Sequence, residues 1–156
     1  MIERPLTHEE SAELSGLMTQ ALELLPLPTG ALIGGADSEP AVMVQAIAAM
    51  VDAVRGGEAL GGGADMSVLA MISGVAFGEE LCRAAGWGWV MACPDGAPEE
   101  TLAVVAPDRS DVVFPMHCLG RLFITPNQPN DLVLLFAVIA EARLPSVSPG
   151  SWRVLG

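Results

Sequence analysis

The sequence predicts an α+β fold in which a small antiparallel sheet packs against a helical layer, and three observations carry that prediction. Apolar residues recur with a helical period through most of the first 85 positions. Between Trp87 and Phe114 the pattern changes to short alternating runs separated by Pro, Gly and Asp turns. A last apolar run, from Leu132 to Ala140, returns to helical character. The 156 residues are 51% hydrophobic and 17% charged, a balance that favours a folded chain over a disordered one. That length suits one domain spanning residues 1–156.

Thr7 and Glu10 have the spacing of a capping box, and behind them Leu14, Leu17, Met18, Ala21, Leu22 and Leu25 form the stripe of an amphipathic helix. Pro26 and Pro28 end it. A flexible connection is expected near residues 29–40, after which Ser38 caps a second helix with Pro40 in its first turn. Met43, Ile47, Met50, Val51 and Val54 supply its buried side. Five glycines among the eight residues 56–63 make a second flexible connection, near 56–65. Asp65 or Ser67 caps a third helix running to about Ala85, and Ala70, Gly74 and Gly78 give it an edge of small residues that another element can approach closely.

Gly86 stops that helix. Trp87, Trp89, Met91 and Cys93 then alternate along a strand, Pro94 to Pro98 turn, and Leu102–Ala106 returns as the second strand of a hairpin. A turn at Pro107–Ser110 leads to a third strand, Val112–Phe114. Pro115 fits the start of a short helix over Met116–Phe123, with a further strand as the alternative. Asn130 is placed to cap the last helix, ended by Pro145; being apolar all round, that helix should be central.

Composition excludes several roles. A formal charge of −12, from 19 acids against 7 basic residues that are all arginine, repels phosphate backbones and anionic lipids, so nucleic acid is not an expected partner. The longest uncharged helical stretch, between Asp65 and Glu79, falls short of the roughly 20 apolar residues that span a bilayer. The first residues, Met1 to Pro5, do not resemble a secretory signal. Three cysteines without C-x-x-C spacing fit a reducing compartment. The expected location is the cytoplasm.

Candidate chemical groups are few. Cys82, Cys93, Cys118 and His117 include zinc-ligand types, but lack the short paired spacing that pre-forms half a tetrahedral site. His117 and Cys118 are adjacent and diverge on either a helix or a strand, so they make a poor catalytic pair. The glycines at 56–63 lack a following Lys-Ser or Lys-Thr and have acidic neighbours, unlike a phosphate loop. Glu79 and Glu80 fit a solvated helix edge better than a shared acid/base site. Trp87 and Trp89, on one face of a strand, suit a core more than a binding surface. No cofactor is expected.

Gly74-Val-Ala-Phe-Gly78-Glu79-Glu80-Leu81, with Gly86-Trp87-Gly-Trp89 and later Phe114-Pro115, resembles the helix-to-strand core of small bacterial families without an assigned activity, among them families regarded as immunity or accessory proteins. The resemblance spans about residues 68–124, leaves the first two helices outside it, and transfers no functional residue. Together with the acidity and the scarcity of catalytic groups, it leads to the expectation of a non-enzymatic protein-binding domain, an immunity-like or chaperone-like partner of a basic protein. The expected contact residues are the acids of the strand-joining loops, Asp95, Glu99, Glu100, Asp108 and Asp111. The competing expectation is a small hydrolase or transferase using Glu79 or Glu80 in a cleft beside the sheet.

Overall fold

A computed structural model describes residues 1–25, 39–58, 63 and 65–156. The expected connection near 29–40 and the middle of the one near 56–65 lie outside the described residues, as does the Ser38 cap. The elements in chain order are β1 (Ile2–Arg4), α1 (His8–Leu24), α2 (Pro40–Arg55), α3 (Met66–Ala85), β2 (Gly88–Cys93), β3 (Thr101–Val105), β4 (Asp111–Val113), α4 (Pro115–Ile124), α5 (Leu132–Ala140) and β5 (Arg153–Leu155). This is an α+β fold with a mostly antiparallel sheet.

The helix boundaries follow local chemistry. The Thr7 hydroxyl accepts the Glu10 N–H at 3.2 Å while the Glu10 carboxylate accepts the Thr7 N–H at 2.8 Å, closing the capping box of α1. Leu25, before Pro26, is extended with ψ 144°, the geometry a following proline imposes. Pro40 opens α2. Asp65, rather than Ser67, caps α3 by accepting the Val68 N–H at 2.9 Å. Gly86 closes α3 at φ 69°, a left-handed conformation open to glycine without strain. Residues 115–124 form a helix, so the alternative of a further strand there falls away.

Helix α3 is the hub, touching α1, α2, α4, α5, β2 and β3. Its small residues are the reason. A Cβ on Gly74 would come within 2.7 Å of the Met116 Cα, and one on Gly78 would overlap the Trp89 ring and press on Pro115. From Ile72 to Gly78 the helix is buried on every side.

The strands run in the order β1-β2-β3-β4-β5, antiparallel except for β4 with β5. The two edge strands, β1 and β5, extend the expected three-stranded sheet. Register sorts the side chains into two layers, because directly opposed residues share a face. Val104 and its partner Val113 join the main core with the helices, packed on by Trp89. Val90, Ala103, Val105 and Val112 form a smaller core on the other face, covered by Met1 and Trp152.

The last helix departs from expectation. Asp131, not Asn130, stands at its N-cap and makes no side-chain cap; the Asn130 amide instead donates to the Ala48 carbonyl and to Asp52. The helix stops at Ala140, with Ala142 in a left-handed turn at φ 52°, before Pro145 is reached. It is not central. Leu132, Phe136 and Ile139 face inward, while Leu134 is 62% exposed, because α2 and α3 cover only one side.

Candidate functional site

The five acids expected in strand-joining loops do not form one surface, and Asp111 is the first residue of β4 rather than a loop residue. β2 and β3 are consecutive antiparallel strands, and so are β3 and β4, so their connecting loops leave from opposite ends of β3. Asp95, Glu99 and Glu100 lie at one end, Asp108 and Asp111 at the other. The expectation of a single Asp95–Asp111 end is corrected on that topology.

At the first end the charges are exposed and tied to the N-terminal segment. Asp95 pairs with the Met1 ammonium. Arg4, from β1, holds Glu100 and Glu10 together, at 2.7 Å to each carboxylate. The Arg4 guanidinium first, and then the Thr7 N–H, lower the Glu10 carboxyl to about 2. Through Arg4 the start of α1, with exposed Glu9 and Glu13, is joined to the β2–β3 loop with exposed Glu99.

At the second end the carboxylates are drawn inward. Asp111 is 5% exposed. It faces Arg153 across the parallel β4–β5 pair, accepting the Arg153 Nε–H at 2.6 Å, and takes the Ser110 hydroxyl at 2.8 Å. Asp108 is exposed and accepts the Ser110 N–H at 3.0 Å. The Ser110 hydroxyl and backbone N–H hold its carboxyl below the usual carboxylate value.

A cleft of about 530 Å³ opens beside Asp108 and Asp111. The end of α3, the β3–β4 loop, the end of α5 and the segment 142–147 wall it, with Trp87, Ile139, Leu144 and Val147 among the apolar lining and Ser110 and Ser146 among the polar. A second cavity, of about 320 Å³, lies between α4 and β5 and is lined by Phe114, His117, Cys118, Arg121 and the residues 154–156. The His117 ring stacks on Phe114 with centroids 5.8 Å apart.

Glu79 and Glu80 do not form a solvated edge. Glu80 is wholly buried and accepts the Arg83 Nη1–H at 2.8 Å, while Glu79 is half-buried and accepts the Trp89 indole N–H at 3.1 Å. Both carboxylates on which the enzymatic expectation rests are thus engaged, Glu80 within α3 by Arg83 and Glu79 across to β2 by Trp89. Trp87 and Trp89 are half-buried and pack on the main core. Sequence periodicity alone did not expose the burial of Glu80; the signal available was Arg83 one turn on, a spacing that lets two charges meet on one helix face.

The cysteines are free thiols. Burial first, and the Glu79 charge second, push the Cys82 thiol up to about 12, and burial raises that of Cys118. Such thiols are poor nucleophiles at neutral pH. Among the described residues no three His, Cys, Asp or Glu side chains converge as a metal set, and no helix is long and apolar enough to cross a membrane. In comparisons with known proteins, no family model, no curated protein and no solved structure matches the chain.

Proposed function

We propose that this chain is a non-enzymatic, cytoplasmic binding domain for a basic protein, acting in an immunity-like or chaperone-like manner. One observation carries the proposal: most of the arginines are engaged by carboxylates or backbone carbonyls, while many of the acids stand exposed. Arg4, Arg83, Arg109, Arg143 and Arg153 pair with carboxylates, and Arg55 donates to the Thr125 and Gln128 carbonyls. Among the described residues only the Arg121 side chain engages none. Meanwhile Glu9, Glu13, Glu23, Glu58, Glu99 and Asp131 stand exposed. Among the described residues the exposed charge is therefore mostly negative, with Arg121 and Arg143 the exposed arginines, and such a field raises the encounter rate with an oppositely charged partner and disfavours like-charged ones.

The acidic corner formed by the start of α1 and the β2–β3 loop is the docking face in this reading, since it carries exposed acids from two elements held together by Arg4. Capture of partners from the native lysate, followed by association kinetics, tests it. The expected partner carries net positive charge, and its association slows as salt rises and when Glu99 and Glu100 are both changed to Gln, with dissociation changing less. An acidic partner, or an association rate indifferent to salt and to those substitutions, contradicts the proposal.

A further inference from the structure

We propose that the cleft between α3, the β3–β4 loop and the segment after α5 is an anchoring pocket for an arginine side chain of the basic partner. This rests on the binding function proposed above and locates a specific contact within it, away from the corner that steers encounter. At about 530 Å³ the cleft has the size of a small-ligand site. Its lining contains the carboxylates Asp108 and Asp111, the hydroxyls of Ser110 and Ser146, an indole, and a wall of aliphatic residues, but no arginine or histidine.

That combination selects the ligand by elimination. An anion entering would meet the Asp108 carboxylate, kept ionised by its Ser110 hydrogen bonds. A purely apolar group would strip water from the same carboxylate without replacing its hydrogen bonds, which is costly. An aliphatic stem ending in a cation satisfies both halves of the cleft: the stem lies on Ile139, Leu144 and Val147, and the cation meets Asp108. The indole of Trp87 adds attraction for a cation over its face. Asp111 already has Arg153 and Ser110 as partners, so Asp108 supplies the net charge of the site. A planar guanidinium, which matches a carboxylate with two parallel donors, suits this better than an ammonium.

Titration of the isotope-labelled chain with Nα-acetyl-arginine methylamide, followed by NMR, tests the inference, with the neutral Nα-acetyl-norleucine methylamide as the comparison probe. The arginine probe should give saturable shifts at the Trp87 indole N–H and the Ser110 and Ser146 amides. The norleucine probe should bind roughly tenfold or more weakly, and Asp108→Asn should weaken the arginine probe by a similar factor, the size of one charge-assisted hydrogen bond. Asp108 is exposed and asparagine can still accept the Ser110 N–H, so this variant should melt like the wild type. Glu99→Gln with Glu100→Gln should leave probe binding unchanged. Equal binding of the two probes, indifference to Asp108→Asn, shifts confined to other regions, or no saturable shift would each overturn the pocket. A basic partner that binds the Asp108→Asn chain as tightly as the wild type would remove the pocket and leave the binding function standing. Failure to recover any basic partner would remove the function itself.

Discussion

The two cavities beside β4 are lined by different charged side chains, although that strand is only three residues long. At the Asp111 end the cleft is lined by two side-chain carboxylates and no cation; beyond Val113 the other is lined by Arg121, His117 and the terminal Gly156, with no acidic side chain. The difference comes from pairing rather than from composition. Arg153 stands opposite Asp111 in the β4–β5 register and satisfies it from outside the cleft. Arg121, exposed on α4, forms no side-chain ion pair among the described residues. Local charge here is decided by which arginines the sheet register brings to which acids, and formal net charge says nothing about it.

Removing one member of each arrangement should separate them most clearly. Asp111→Ala leaves Arg153 without its partner in a largely buried place and should cost about 3 kcal/mol, read from denaturant unfolding. Arg121→Gln breaks no pair and should stay within about 0.5 kcal/mol of the wild type. If the two variants lost equal stability, the distinction between a paired and an unpaired end would fail.

A next test contrasts these open cavities with the closed α3 interface. Gly78→Leu drives a side chain into the Trp89 ring and should cost on the order of 1–3 kcal/mol or more. A wild-type melting temperature for that variant would mean that α3 and β2 can separate at Gly78 without penalty.

The smallest expected effect concerns the exposed Arg4 corner. Glu10→Gln keeps the capping geometry but removes the charge that Arg4 holds. A carboxyl whose value is lowered by folding adds stability above its unfolded value, and that stability is lost as pH falls through the folded one. The difference in melting temperature between wild type and Glu10→Gln should therefore be constant near neutrality and shrink from about pH 5 to about pH 2. A difference that grows on acidification would contradict the assignment.

The parts of the fold legible in the sequence were those set by neighbours along the chain. The Thr7–Glu10 box, the Asp65 cap, the Gly86 stop and the Pro115 start each depend on residues within one turn. The glycine edge of α3 was legible as a packing surface, but its partners, Met116 and Trp89, were not. β1 and β5 have three residues each, too few for a period to show, and exist because β2 and β4 offer edges to pair with. The Leu132–Ala140 run read as central because apolarity on all sides gives no hint of which side will be covered. Among the candidate site residues, the loop acids were found singly and grouped wrongly; the alternation of hairpin loops between sheet ends was enough to separate Asp95, Glu99 and Glu100 from Asp108 and Asp111. Most of the arginine pairings were out of reach of sequence reading, since each except those of Arg83 and Arg143 joins distant parts of the chain or crosses between elements.

The proposed selectivity of the exposed acids for basic partners is tested most directly by selection of binders from a random peptide library. The account predicts that the retained sequences are enriched in arginine and lysine and that salt elutes them. Enrichment of acidic or purely apolar peptides, or retention unaffected by high salt, would contradict it.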